Sequence, residues 1–592
     1  MRGNKQDDLG QDAFFESLWE AGITRCFVNL GSDHPSIMES IAKGQRNSPK
    51  KFPKIITCPN EMVALSMADG YARFTNKPQC VIVHVDVGTQ GLGAAIHNAS
   101  CGRAPVLIFA GLSPFTAEGE MRGSRTEYIH WIQDIPDQRA IVAQYCRYTA
   151  EIRTGKNIKQ MVNRALSFAM SEPKGPVYLM GAREVMEDTL EPYKLNQAVW
   201  SPVEPTYLSE SGVKSICNLL VNAENPLVVT GYSGRDHRAV GELVKLADRI
   251  KGLRVLDTGG SDMCFPADHR AWLGLRFGVD ESIKESDVIL VVDCDVPWIP
   301  TKCQPRPDAK IVHIDIDPLK QQMPLFYINA ILRYRADGYT AFSQLCSYID
   351  SNDELLSKLA GPIYIDRWNS LGEFHNRRLS NIANLATAGK DGSFTTSCLT
   401  SMVRKWCPPD TIWCIEAVTN TVLVANQIQA TLPGSWINCG GGGLGWSGGG
   451  ALGIGIAVQD VRGKGFVCQI VGDGTFLFSV PSSVYWISRR YGIPVLTIVI
   501  NNKGWQAPRK SLLLVHPNGL GSQISNEELN ISFEPSPDYA AIAKDGAGGQ
   551  LWAASARTVE DLERLLPEAV SAVQNGTGAI LDAHIAFKVG EF

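Results

Sequence analysis

The chain has 592 residues, enough for several domains at about 100–200 residues each. A hydrophobic fraction of 44%, a charged fraction of 20% and a net charge of −5 describe an ordinary globular protein. They give no reason to propose nucleic acid or an acidic membrane surface as a partner. The fifteen cysteines form no close pair with metal-site spacing and fall in apolar runs (Cys80, Cys468) or loops (Cys58, Cys303), as expected of reduced thiols inside a cell. No apolar run reaches the length of a transmembrane helix. Neither the polar start MRGNKQDDLGQDAF nor the ending VGEF carries a targeting signal, so the cytoplasm is the expected location.

Residues 11–22 predict an amphipathic helix with Phe14, Leu18 and Ala21 on one face, followed by a strand from Thr24 to Leu30 that ends in Gly31-Ser32-Asp33-His34-Pro35. A short strand at Ile55–Cys58 leads through Pro59-Asn60-Glu61 into a small-residue helix. Val81 to Gly88 reads as a strand and a glycine turn, then a helix, and Pro105 to Gly111 is another buried strand. A linker around 203–209 precedes a second alternating unit with the strands PLVVTG, LRVLDTG, SDVILVVDCD and AKIVHIDIDP. Asn352 to Gly361 reads as a second linker. Near-continuous apolar strands alternating with helices predict parallel sheets, hence an α/β protein of three doubly wound domains over about 1–190, 205–350 and 365–592.

The last unit holds the most informative stretch, Phe466 to Trp505. It reads as strand, Gly472-Asp473-Gly474 turn, helix, strand, then Asn501-Asn502-Lys503-Gly504. A βαβ crossover brings both strand ends to one sheet edge, where open α/β sheets bind ligands. Asp473 and the Asn501-Asn502 pair should therefore converge. A carboxylate, an amide oxygen and a backbone carbonyl suit Mg²⁺, and the glycines leave N–H groups free for a phosphate. A competing pattern, Gly440-x-Gly442-x-x-Gly445 with Asp460 about twenty residues on, imitates a dinucleotide fingerprint. Asp460, however, precedes the next strand, whereas a ribose-binding acid should end it.

This GDG…NN pattern resembles the diphosphate-binding motif of the thiamine-diphosphate (ThDP) enzymes, and the likeness extends along the chain. It implies that Asp473, Asn502 and the Gly504 carbonyl hold Mg²⁺, with Gly472, Gly474, Thr475, Thr419 and Asn420 around the diphosphate. Asn60-Glu61 before a helix containing GYAR resembles the pyrimidine-binding domain, which makes Glu61 the carboxylate that shares a proton with the cofactor's aminopyrimidine. Desolvation is expected to raise its pKa. Leu444 takes the place of the apolar residue that props the cofactor into a V, and the Gly442 carbonyl would accept from the aminopyrimidine. The IDIDP ending resembles the middle domain of the acetolactate synthase and benzoylformate decarboxylase branch; some relatives bind FAD or a nucleotide there, but Gly231-Tyr232-Ser233-Gly234 is no clear phosphate loop.

On the substrate side, Asn29-Leu30-Gly31-Ser32 resembles the turn whose Ser contacts substrate carboxylate in benzoylformate decarboxylase. His84 matches that enzyme's proton-handling His, and Gln133 matches a Gln in the acetolactate synthase active site. Arg122 and Arg125 are candidates for an acidic substrate. The resemblance implies a carboligase like acetolactate synthase: a 2-oxo acid loses CO₂, and the resulting carbon nucleophile attacks an aldehyde or ketone acceptor to give a 2-hydroxy ketone. The alternatives are a decarboxylase that stops at aldehyde and a catalytically silent regulatory protein of the same fold. The expected assembly is a homodimer or homotetramer with sites at the subunit interface.

Overall fold

The computed structural model describes residues 10–586. The first nine residues and the closing VGEF, on which the targeting expectation partly rests, lie outside the described residues. Among the described residues eighteen strands form three six-stranded sheets, and every strand pairing within them is parallel.

The first sheet holds β1 (Arg25–Val28), β2 (Lys54–Thr57), β3 (Gln79–Val83), β4 (Val106–Leu112), β5 (Tyr148–Ile152) and β6 (Val177–Ala182), in the order β2-β1-β3-β4-β6-β5. The middle sheet holds β7 (Pro226–Thr230), β8 (Arg254–Asp257), β9 (Trp272–Leu275), β10 (Val288–Val292), β11 (Lys310–Asp315) and β12 (Leu332–Arg335), in the order β12-β11-β10-β7-β8-β9. The third holds β13 (Ile412–Glu416), β14 (Trp436–Asn438), β15 (Val467–Gly472), β16 (Leu496–Asn501), β17 (Trp552–Ala556) and β18 (Ala579–His584), in the order β14-β13-β15-β16-β18-β17. The first and third orders are the same pattern, whereas the middle one, taken from its other end, is the dinucleotide-fold order.

Two expectations change. The segment after β3 is no glycine turn: the helix Val85–Gly91 starts at once, with Val85 at φ +35°. Residues 352–361 are no extended linker either, because Asp353–Leu359 is a helix capped by Asn352 and runs into the 24-residue helix Pro362–Leu385. Gly88 lies inside the first of these helices rather than in a turn, and at the second Asn352, a turn residue by composition, serves as a helix cap.

One buried core spans the first and third sheets, joining Phe27, Val81 and Ile108 to Ile412, Trp446 and Leu452. Its centre is the crossing of helices Glu61–Thr75 and Trp446–Arg462. A Cβ on Gly70 would stand 2.2 Å from the Gly450 carbonyl oxygen, and one on Gly453 would stand 2.0 Å from that of Met67. Only glycines allow backbones this close. Trp446 Nε1 donates to buried Asp69 at 3.0 Å across the same seam. Beside it, Arg73 and Arg235 both bind Asp262, tying the middle unit in.

Candidate active site

The third sheet builds an oxygen cluster. β15 and β16 are neighbours in register, Gly472 opposite Ile500, so the segments leaving the two strands meet at one edge. Asp473 opens the short helix after β15 and is 2% exposed. Its Oδ2 accepts from the N–H groups of Asn502 and Gly504, both at 3.1 Å, and its Oδ1 from that of Gly474 at 2.7 Å. The Asn502 carboxamide places one terminal atom 3.2 Å from each Asp473 oxygen and 2.7 Å from the Gly504 carbonyl oxygen. With NH₂ in that place, three acceptors are satisfied. With oxygen there, amide, carboxylate and carbonyl oxygens crowd together with no proton between them, an arrangement stable only around a cation. The donor set therefore fits Mg²⁺. Among the described residues no three His, Cys, Asp or Glu side chains gather to hold a metal, but an amide and a backbone carbonyl lie outside that count. Burial pushes the Asp473 carboxyl up to about 6, a cost that a nearby cation reverses.

Gly504 is held at φ +143°, and a Cβ there would lie 2.2 Å from the Ile531 carbonyl oxygen. Gly472 caps the helix start, and Thr475 is buried within its first turn. Asn501 departs from expectation. Its amide donates to Asp582 Oδ1 at 3.0 Å and Ser536 at 3.1 Å and accepts from the Lys503 N–H at 3.3 Å, so it shapes the loop rather than joining Asp473.

Glu416, at the end of β13, accepts from the N–H groups of Gly445 at 3.0 Å, Trp446 at 3.3 Å and Ser447 at 2.7 Å. Burial pushes its carboxyl up to about 7 against those bonds. This acid pins the start of helix Trp446–Arg462 and with it half-buried Leu444. Gly443 exchanges two hydrogen bonds with Asn98, at 2.6 and 3.0 Å, and the exposed Gly442 donates its N–H to His97 at 3.0 Å. Thr419 and Asn420 form a tight turn after β13, where Asn420 accepts from Thr396 at 3.1 Å. Asp460 sits on the helix and binds Arg25 and Tyr71, so it plays no ribose-binding part.

The first sheet's edge carries the other half. Glu61 begins its helix behind the cap Asn60, which accepts from the Val63 N–H at 3.2 Å. The half-buried Glu61 carboxylate has no hydrogen-bond partner among the described residues. It backs onto the Val85–Gly91 helix, where a Cβ on Gly91 would stand 2.8 Å from Oε2. His84 follows β3 directly, with Nδ1 2.5 Å from Asp33 Oδ1, while Asp33 Oδ2 accepts from the Val85 N–H at 3.2 Å. The hydrogen bond to Asp33 raises the His84 pKa above its ordinary value despite partial burial, and Gln133 acts in the same direction. Two glycines make room: a Cβ on Gly31 would lie 2.1 Å from His84 Nδ1, and one on Gly111 1.6 Å from Asp33 Oδ2. Ser32 Oγ is 3.4 Å from His130 Nε2, and the Arg183 guanidinium is 3.5 Å from both the Ser32 carbonyl oxygen and that His130 nitrogen.

Ser32, His84 and Gln133 are thus brought to one corner. Arg122 and Arg125 are engaged elsewhere: Arg122 binds Glu187 at 2.8 Å, and Arg125 binds Asp134 and lies over Trp131. Sequence reasoning missed Asp33, His130, Arg183 and Glu416. Three of them carry a common signal, since Glu416 ends a buried strand in TIWCIEA and Arg183, in VYLMGAR, and Asp33 each follow one. In the middle unit a cavity of about 310 Å³, lined in part by Arg103, Tyr232 and Asp293, lies at the sheet's carboxyl edge. The Gly231–Gly234 run there is a packing turn: a Cβ on Gly234 would meet the Met263 carbonyl oxygen at 2.1 Å. FAD gains no support from it.

Three parallel α/β sheets, with an oxygen cage at one edge and a free glutamate with a His–Asp pair at another, define a cofactor-dependent enzyme architecture. The N-terminal TPP binding domain of thiamine pyrophosphate enzymes matches residues 9–141, the central domain 213–322 and the C-terminal TPP binding domain 417–582, and the chain belongs to that family. It is 22% identical over 587 residues to benzoylformate decarboxylase of Pseudomonas aeruginosa, covering 95% of this chain and 96% of that protein. It is 23% identical over 535 residues to the acetolactate synthase large subunit of Haemophilus influenzae, covering 86% and 84%. The structure of ThDP-dependent 4-hydroxybenzoylformate decarboxylase from Rhodococcus jostii RHA1 shares the fold, with a TM-score of 0.77, 20% identity and coverage of 98% and 100%. Among the described residues no helix is long and apolar enough to cross a membrane.

Proposed function

We propose that this protein is a Mg²⁺- and ThDP-dependent decarboxylase of 2-oxo acids that releases aldehyde, acting as a homodimer or homotetramer. The observation that carries this reading is His84, held by Asp33 with a raised pKa at the edge that also carries Glu61. When bound, ThDP supplies the carbon nucleophile and the electron sink for loss of CO₂. Asp473, the Asn502 amide oxygen and the Gly504 carbonyl hold the metal; Gly472, Gly474, Thr475, Thr419 and Asn420 surround the diphosphate. Leu444 would support the cofactor, the Gly442 carbonyl would accept from its amino group, and Glu61 would hold a proton shared with its ring. Ser32 contacts the leaving carboxylate. His84, its pKa raised by the hydrogen bond to Asp33, would donate a proton to the carbon that has lost CO₂.

Carboligation in the manner of acetolactate synthase is the second reading, favoured by Gln133 beside His84. Product analysis with one 2-oxo acid, with and without an acceptor aldehyde, separates them. Aldehyde alone in both reactions supports the first reading; a 2-hydroxy ketone as main product overturns it. No turnover with any 2-oxo acid, together with unchanged behaviour of Glu61→Gln, would instead indicate a silent member of the fold.

A further inference from the structure

We infer that Arg183 recognises a second carboxylate on the substrate, so that the preferred 2-oxo acid is dicarboxylic; this rests on the 2-oxo acid reading above. Among the described residues two arginines are less than a tenth exposed, Arg73 and Arg183. Arg73 has Asp262 as its counter-charge. Arg183, 8% exposed, has no carboxylate of the described residues within 4.0 Å. Its partners are neutral: the Ser32 carbonyl oxygen at 3.5 Å, the Thr126 hydroxyl at 3.3 Å and His130 Nε2 at 3.5 Å, while its Nε has no partner.

The neighbouring acids are spent elsewhere. Asp33 holds His84 and the Val85 N–H. Glu184 accepts from the Thr116 N–H at 2.9 Å and its hydroxyl at 2.6 Å, and Glu187 binds Ser36 and Arg122. Burial, and next the Arg183 charge, lower the His130 pKa, which keeps that ring neutral beside the guanidinium. A buried cation without a counter-ion is costly, and an anionic ligand is the compensation the corner lacks. Guanidinium geometry matches a carboxylate in two parallel hydrogen bonds.

The leaving carboxylate is a poor candidate for that anion. An ion pair formed with the group about to depart as CO₂ stabilises the ground state and weakens in the transition state, which slows the step. The neutral Ser32 hydroxyl suits the leaving group. The buried cation suits a carboxylate that stays.

The test uses the holoenzyme with 2-oxoglutarate and its analogue 2-oxopentanoate, a monoacid whose distal end is a neutral methyl group, and calorimetry with the unreactive glutarate and butyrate. The expected result is kcat/KM at least about 100-fold higher for the diacid, as for sites whose buried polar groups lose a partner. Arg183→Gln should cut that preference to under about tenfold and weaken glutarate binding far more than butyrate binding; Arg183→Lys should restore part of it. A wild-type preference for the monoacid, or equal losses for both substrates in the variant, overturns the inference. Glutarate bound no tighter than butyrate overturns it without any variant, so a misfolded substitution does not shield it. Tight, Arg183-dependent glutarate binding without turnover of either oxo acid upholds the anion site and overturns the decarboxylase reading.

Discussion

The first and third sheets share one strand order and yet hold opposite chemistry at their carboxyl edges. The third edge gathers oxygen atoms: Asp473, Asn502 and the Gly504 carbonyl. The first gathers protons and charge: Asp33, His84, His130 and Arg183. Topology delivers strand ends to a common rim, and only the two or three residues after each strand decide whether the rim binds a cation or moves a proton.

The largest effect expected from breaking this division is at Glu61. Glu61→Gln should lower kcat by about 10³-fold, within the range for a lost proton-transfer group, while calorimetry still shows ThDP binding. Retained turnover would remove Glu61 from the proton-handling edge. Next, Asp473→Ala should weaken Mg²⁺ and ThDP binding by about 100-fold or more, since even outer partners of a metal site cost 10–100-fold. Unaltered affinity would dissolve the oxygen cage. Asp33→Asn sharpens the comparison. Asp33 raises the His84 pKa, so proton donation persists above the ordinary histidine range and fails as pH rises through the raised value. The variant should lose aldehyde release at a lower pH than the unaltered enzyme, because the hydrogen bond that raises the His84 pKa is weakened. A pH profile that does not move would show that His84 is not the donor.

The smallest effect lies in the seam between the two edges. Burial pushes the Asp69 carboxyl up to about 6, above its unfolded value of about 3.9. Its protonated form therefore favours folding: that contribution is complete below about pH 3.9 and is lost as pH rises to about 6. Asp69→Asn, which keeps an acceptor for Trp446, should flatten this part of the stability profile, by at most about 3 kcal/mol, in denaturant titrations at pH 4 and 7. Parallel curves for both proteins would contradict the buried-acid account.

The third edge was legible because one βαβ unit makes it: GDG and NN lie 29 residues apart on neighbouring strands, and glycine marks the turns. The one departure there, Asn501 turning to Asp582, depends on a side-chain partner that no local pattern records. The first edge was legible only in pieces. Ser32, His84 and Gln133 come from three separated segments, and their supports arrive from further strands: Gly111 is the penultimate residue of β4 and Arg183 follows β6. Arginine was expected near an acidic substrate, but Arg122, which is exposed, and Arg125, which is paired with Asp134, drew that expectation because a basic loop is visible in sequence, whereas burial is not. The strands themselves were read well because two-sided burial leaves continuous apolar runs. The helix at 353–359 was missed because its capping residues look like a break.

The glycine crossing between helices Glu61–Thr75 and Trp446–Arg462 has a mechanical consequence. Glu61 is the first residue of one rod and Leu444 sits two residues ahead of the other, so their spacing along the seam is set by backbones that touch without side chains between them. A methyl group added at Gly453, far from any reacting atom, must spread the rods and carry both ends with it. The alignment of an acid and a prop is thereby stored in the absence of atoms, and a silent-looking alanine is enough to erase it.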